Sequence, residues 1–451
     1  MKLYEYQQKI FDYVKGFNCF ALFMKMGTGK TPLAIMLMKF WRQRTLIICK
    51  RNLITKVWLK HLADWAPDFR VVNGRTYKDN GLPNQFDVYV INYEMVRKLP
   101  LDFFRQFGTC ILDESHKIKS VKSKISRFLR SIAWLMKHRV ILTGTPSDKS
   151  MLEYWPQMNF VEPKVLNPEI RDGENPFAER HFYKFRGTHF FNYGYGGYLW
   201  GINKKEKAEI IESIRERAIF MAKEDCLDLP GETTEEYTFE LDKKSKEIYD
   251  GLEENFIHKY GDYTVLAANK LAEIMKLRQI TSGFFVDDMK KKIVFSDQKI
   301  KVLNEVLEDL GPKEPVIIWC QFHHEIQEIS KILGNNSRCL YGLMNEKEQD
   351  ESIEDFQNNK VQYLIAHPQS GGEGLDFTNA CYDIYYASSY SLLEYEQASS
   401  RIYRNGQKKK VTHIHIYAEN TIGEVIFKAI MKKQKVEDAV LGMLNFKRIK
   451  I

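Results

Sequence analysis

The chain has 451 residues, more than one hydrophobic core usually serves, so two large domains or three small ones are expected. Hydrophobic residues at 44% and charged residues at 28% describe a soluble globular protein, and no apolar run approaches the length of a membrane span. Sixty-seven Lys and Arg against fifty-nine Asp and Glu leave a charge of +8, which permits a polyanionic partner without demanding one. The seven cysteines are scattered, odd in number and never in a C-x-x-C pair. That spacing argues against a disulfide framework and a zinc site, and for reduced thiols in a reducing compartment. A cytoplasmic protein is expected, of prokaryotic or viral origin rather than nuclear.

In chain order, the first 146 residues alternate helical patterns with short apolar runs, the mark of a parallel sheet covered by helices. The expected strands are Cys19–Met24, Thr45–Cys49, Val88–Asn92, Cys110–Leu112 and Val140–Leu142. The first of them runs into Met24-Lys25-Met26-Gly27-Thr28-Gly29-Lys30-Thr31, and an apolar helix with Pro32 in its first turn follows. A phosphate needs unhindered backbone N–H groups, which Gly27, Thr28 and Gly29 offer, and the positive end of a helix. Lys30 then reaches the β- and γ-phosphates and the Thr31 hydroxyl holds Mg²⁺. The usual first glycine of this loop is absent, with Met24 in its place, so a plain glycine-rich strand-to-helix turn is the competing reading.

About 80 residues on, Ile111-Leu112-Asp113-Glu114-Ser115-His116 delivers two adjacent carboxylates at the end of an apolar strand. Asp113 there holds the Mg²⁺, and Glu114 polarises the attacking water. Thr143-Gly144-Thr145-Pro146 ends a third strand of the same sheet and is expected beside that cleft. Residues 147–290 differ in texture, with five prolines and a run of aromatics and glycines from Phe190 to Trp200. That run suggests a hairpin whose rings either stack on bases or pack it onto the protein. A helical pattern covers Lys204 to Met221, and helices resume from Glu247 to Gly283. A polar boundary near Asp287 to Gln298 precedes a second lobe, 291–451, with strands at Val316–Trp319, Tyr363–Ala366, Ile384–Tyr386 and Thr412–Tyr417.

This second lobe carries a glycine-rich loop, Ser370-Gly371-Gly372-Glu373-Gly374, and the segment Gln397 to Gln407. Arg401 and Arg404, three apart, share one face if the segment is helical, and can serve as arginine fingers on a γ-phosphate. The competing reading is a basic surface helix.

Taken in order, these segments resemble superfamily II helicases, and within them the Swi/Snf-like DNA translocases. Leu3-Tyr4-Glu5-Tyr6-Gln7 resembles that family's adenine-reading L-x-x-Y-Q start, implying that Tyr6 and Gln7 bind the nucleotide. Met26 to Thr31 is similar to its motif I, Asp113 to His116 to its D-E-x-H box, and Leu142 to Pro146 to its L-T-G-T-P. Trp155 with Asn159-Phe160, Leu277 to Ser282, and Gln397 to Gln407 match its later motifs. The resemblance implies two RecA-like lobes, ATP and Mg²⁺ as cofactors, Gly374 near the nucleotide, and duplex DNA as partner of a monomeric motor. It implies nucleic-acid contacts at Lys50, Arg51, Asn92, Tyr93, Thr143, Gly371 and Gly372. Departures are Met24 and Lys25 where the family has acidic residues, Asp376 where it has Asn, and no paired arginines near Met221 to Lys223. A strand-separating DNA or RNA helicase and an inactive nucleotide-binding scaffold are the alternatives.

Overall fold

The central strands Cys19–Met24, Thr45–Cys49, Val88–Asn92, Thr109–Asp113 and Val316–Trp319 are apolar runs buried along their whole length, as inner strands of a helix-covered parallel sheet must be. The structure, a computed structural model, describes residues 2–432 apart from 76–84, 148–149, 194–198, 222–228, 256, 261–262, 267–269, 288, 372–374 and 390. The chain divides into two compact units, Met1–Asp228 and Leu229–Ile451. The division falls before the polar segment at Asp287 to Gln298, so the stretch 147–290 is shared between the units.

The first unit contains β1 (Cys19–Met24), β2 (Thr45–Cys49), β3 (Val71–Asn73), β4 (Val88–Asn92), β5 (Thr109–Asp113) and β6 (His138–Thr143). A small antiparallel hairpin, β7 (Phe191–Tyr193) with β8 (Leu199–Gly201), and the strand β9 (Ala218–Met221) follow. The main sheet has the order β3-β4-β2-β5-β6-β1-β9, and every pairing in it is parallel. Side chains alternate between its faces. Ala21, Phe23, Leu46 and Ile48 enter one core, while Phe20, Leu22, Met24 and Ile47 enter the other.

The second unit begins with β10 (Glu232–Phe239), followed by two short antiparallel pairs, β11 (Ile257–Tyr260) with β12 (Tyr263–Leu266) and β13 (Phe284–Val286) with β14 (Lys292–Val294). Its main sheet adds β15 (Val316–Trp319), β16 (Ser337–Leu340), β17 (Tyr363–Ala366), β18 (Tyr382–Tyr385) and β19 (Val411–Ala418). The order is β10-β19-β18-β15-β17-β16, again wholly parallel. The helices Lys243–Asn255, Lys270–Thr281 and Ile422–Met431 bury a separate cluster containing Ile248, Leu252, Leu277 and Ile426. Two parallel-sheet α/β lobes are therefore present, as the sequence implied.

Two stretches differ: the helices expected over Glu247 to Gly283 are interrupted by the β11–β12 pair, and one expected helix ends in a strand. The helical pattern over Lys204 to Met221 is a helix only to Arg215, and Ala218–Met221 is β9, lying parallel to β1. Four residues do not carry enough periodicity to separate a short edge strand from the end of a helix.

Candidate active site of the first unit

The site lies where β5, β6 and β1, adjacent in the sheet, release their C-terminal ends. In open α/β sheets ligands bind at that edge. β1 gives way to the phosphate loop, and the helix Lys30–Trp41 starts directly behind it with Gly29 as its N-cap. Gly27 and Gly29 have φ of 82° and 72°, in the left-handed region where a side chain is strained. At Gly29 a second constraint applies: a Cβ would lie 1.9 Å from Gln7 Nε2. The loop is shaped from within. Thr28 is buried and donates through Oγ1 to the Lys25 carbonyl at 2.7 Å. Lys30 Nζ donates to the carbonyls of Met24 and Lys25 at 2.8 and 3.2 Å. Thr31 stands at the second residue of the helix, half-buried.

The N-terminal segment braces this loop. Tyr6 donates its hydroxyl to the Thr28 carbonyl at 3.1 Å, and Gln7 Nε2 lies 3.4 and 3.5 Å from the carbonyls of Thr28 and Gly29. Gln7 Oε1 accepts from Tyr4 N at 3.0 Å, and Gln7 is 2% exposed. In this state the Gln7 amide is occupied with its own chain. The outward ring is Tyr4, stacked parallel to Tyr6 at 6.0 Å and 54% exposed.

β5 presents the acidic pair. Asp113 Oδ2 accepts from Trp58 Nε1 at 2.8 Å, and Oδ1 accepts from the Glu114 amide at 3.0 Å. Tyr93 donates its hydroxyl to the Asp113 carbonyl at 2.9 Å. Glu114 has φ 54° and ψ 53°, a left-handed conformation costing a non-glycine residue roughly 1–2 kcal/mol. Strain of that kind concentrates at functional sites. Its carboxylate lies 3.2 Å from His116 Nδ1, and that nitrogen lies 3.4 Å from Thr143 Oγ1. The T-G-T-P turn after β6 closes the cleft. Thr143 Oγ1 accepts from Thr145 N at 3.2 Å, and a Cβ on Gly144 would stand 3.3 Å from Met26 N of the phosphate loop.

Burial, and next the Glu114 carboxylate, raise the Asp113 pKa to about 6. Burial also acts upward on Glu114, but His116, Lys30 and Lys50 outweigh it and hold its pKa at about 2. Both carboxylates therefore feel the Lys30 ammonium. Two buried carboxylates beside an anion-ready loop suit a divalent cation coordinated by phosphate oxygens. The residues fit a magnesium nucleotide.

The residues expected to contact nucleic acid are dispersed in character. Arg51 is exposed and Lys50 is half-buried, within electrostatic range of Glu114. Asn92 is buried and donates to Glu94 Oε2 at 2.6 Å, while Tyr93 and Thr143 are buried in the roles just described. Gly371 ends the short helix Pro368–Gly371; Gly372 and Gly374 lie outside the described residues.

In the second unit, Arg401 and Arg404 are not on a helix. The helix Leu392–Ser399 stops short, and both arginines stand in the turns that follow. Ser400 Oγ turns back on the Gln397 carbonyl at 2.8 Å, a local bond at the C-cap where the helix ends. The two side chains nonetheless converge: Arg401 Nη1 and Arg404 Nη1 donate to the Leu375 carbonyl at 3.2 and 2.9 Å. Arg404 Nε also lies 3.6 Å from Asp376, the residue standing where the resemblance expects Asn.

Sequence reasoning missed Trp58, which sits on a π-helical stretch, Ile54–Leu59, and holds the Asp113 carboxylate in place. It also missed Gln157, which accepts from Ser115 at 2.8 Å and donates to the Pro146 carbonyl at 2.6 Å, tying the acidic box to the T-G-T-P turn. A π-helix has no sequence mark, although such segments gather at functional sites.

The family models and the curated relatives agree in kind. The family model of the SNF2-related domain matches residues 17–335, and that of the helicase conserved C-terminal domain matches residues 298–406. Protein p41 of Acyrthosiphon pisum secondary endosymbiont phage 1 is 25% identical, over 80% of this chain and 78% of its own length. The human SWI/SNF-related matrix-associated actin-dependent regulator of chromatin subfamily A member 1 is 24% identical, over 92% of this chain and 41% of its own. The uncharacterized ATP-dependent helicase MG018 of Mycoplasma genitalium is 25% identical, over 94% and 40%. The chain thus spans under half the length of the latter two. Among solved structures, the Sulfolobus solfataricus SWI2/SNF2 ATPase core in complex with dsDNA is 20% identical over 96% of this chain and 91% of that one, with a TM-score of 0.44.

Proposed function

The chain belongs to the SNF2-related domain family, and from that membership we propose that it is an ATP-hydrolysing motor that tracks double-stranded DNA. One observation carries the reading. A phosphate loop with two left-handed glycines, an ammonium at its mouth and two buried carboxylates gather at one edge of one sheet.

Each group has a task that its surroundings suit. Gly27 to Thr31 offer backbone amides and a helix N-terminus to the phosphates. Lys30, now on the carbonyls of Met24 and Lys25, exchanges them for phosphate oxygens. Asp113, held by Trp58, and Thr31 would hold Mg²⁺, which supplies neutralisation of phosphate charge when bound. Glu114, ionised by His116 and Lys30, orients water and accepts its proton. His116 joins that acid to Thr143, in the segment that leads to the nucleic-acid surface. Arg401 and Arg404, gathered at one carbonyl in the second unit, act on charge that develops in the transition state. Lys50 and Arg51 hold backbone phosphates, and such contacts carry no sequence information.

The test compares ATP turnover with plasmid duplex, single-stranded oligonucleotide and structured RNA, using Lys30→Ala as the inactive control. Duplex DNA is expected to stimulate most, and Lys30→Ala to abolish turnover with every substrate. Stimulation by RNA alone would move the chain to the strand-separating helicase reading. Normal turnover by Lys30→Ala would remove the phosphate-loop assignment.

A further inference from the structure

The β7–β8 hairpin is anchored by one face and bare on the other. Phe191 pairs with Gly201, Asn192 with Trp200 and Tyr193 with Leu199. Alternate residues of a strand point to opposite faces, so Trp200 stands opposite Phe191 and Tyr193. Trp200 lies under the Arg186 guanidinium, 4.0 Å from its ring centroid, and packs against the core of the unit, where Phe190 is also buried. Phe191 and Tyr193 take no part in that anchoring. They are 53% and 51% exposed, with ring centroids 6.2 Å apart. The Phe191 ring lies flat across Gly201, where a Cβ would come 2.7 Å from its Cζ.

Basic residues flank the rings in the chain: Arg180, Lys184, Arg186, Lys204, Lys205 and Lys207, of which Arg180, Lys184 and Lys205 are ion-paired with Glu174, Glu169 and Glu209. Lys204 and Lys207 stand in the first turn of the helix Lys204–Arg215 that follows β8. Glu206 between them is engaged by His189 Nδ1 at 2.5 Å. Two outward rings on a two-stranded ribbon, with lysines directly after it, are the composition of a surface that stacks bases and holds the phosphates between them.

We propose that this hairpin binds unpaired nucleotides, with Phe191 and Tyr193 as the stacking rings. The proposal rests on the nucleic-acid partner of the preceding reading and adds to it a preference for duplexes that adjoin a single-stranded tail. The π-faces of bases are alike, so the preference is for unpaired bases of any sequence.

Fluorescence anisotropy without nucleotide, on blunt duplex and on the same duplex with a single-stranded tail, decides it. The wild-type chain is expected to bind the tailed duplex about tenfold or more tightly than the blunt one. Phe191→Ala with Tyr193→Ala is expected to lose that preference while blunt-duplex affinity and melting temperature stay unchanged. Phe191→Leu with Tyr193→Leu keeps apolar bulk and removes the π-faces, so it is expected to lose the preference too. Phe191→Tyr with Tyr193→Phe is expected to keep it. A wild-type chain indifferent to the tail overturns the proposal. So does a leucine pair with full preference, which assigns the rings to packing or to a protein partner. Since no turnover is needed, this assay can fail while duplex-stimulated ATPase survives, and the reverse.

Discussion

Arg401 and Arg404 come together for a geometric reason other than the one their spacing suggests. The interval of three suggested a shared helix face, whereas the two arginines meet because successive turns fold both back on the Leu375 carbonyl. Asp376 adds a carboxylate at 3.6 Å, which holds Arg404 ready beside the loop after β17. Arg404→Ala is expected to lower kcat by about 10³-fold or more while the KM for ATP changes little, since such a residue acts on transition-state charge. Steady-state kinetics with an unchanged kcat would return Arg404 to a surface role. The residues that sequence did expose at this scale are those whose chemistry is local: Gly27, Gly29, Lys30, Asp113 and Glu114. Trp58 and Gln157 reach the same place through tertiary contacts 55 and 42 residues apart in the chain, and nothing in their neighbourhoods announces it.

At the scale of elements, the apolar strands were legible and the polar edge strands were not. β1, β2, β4, β15 and β17 have the bounds that the sequence suggests, because burial on both faces leaves only apolar runs. β10, Glu-Thr-Thr-Glu-Glu-Tyr-Thr-Phe, pairs on one side only, so most of its residues face water and the run reads as a loop. The β19 strand carries a titratable feature of its own. His413 Nδ1 donates to Asp383 at 2.6 Å, Asp383 also accepts from Trp319 at 3.1 Å, and Glu232 stands 3.5 Å from His413 Nε2. Burial disfavours the imidazolium, but Asp383 and then Glu232 outweigh it and raise its pKa from 6.5 to about 9. A pKa raised on folding adds stability that is full below the unfolded value and is lost as pH rises through the folded one. The window is therefore pH 6.5 to 9, and the effect is roughly 3 kcal/mol at most. His415, on the same face and held neutral with its pKa near 3 by burial and by His413, acts only on the acid side of 6.5. Calorimetry is expected to show the second unit melting progressively lower from pH 6.5 to 9, with His413→Gln less stable at pH 6.5 and flat across that window. A wild-type melting temperature that is level over the same range would remove the charged-histidine assignment.

For the molecule as a whole, the +8 charge divides unevenly: the first unit carries 38 Lys and Arg against 24 Asp and Glu, the second 29 against 35. What matters is how many phosphates are neutralised at once. Each one releases counterions, giving a log–log slope of duplex affinity against salt of about −0.9 per contact. Duplex stimulation of turnover is accordingly expected to fall steeply with salt, with affinity dropping more than roughly tenfold between low and moderate concentrations. Replacing Lys50 and Arg51 by Ala is expected to make that slope shallower by about two contacts, and an unchanged slope in titrations would take both residues off the backbone. The ammonium of Lys30 has a bearing on the working cycle that is kinetic. On the proposed reading its two carbonyl partners act as a latch, given up to an arriving nucleotide and regained when it departs. The half-buried charge would then keep hydrogen-bond acceptors in both states.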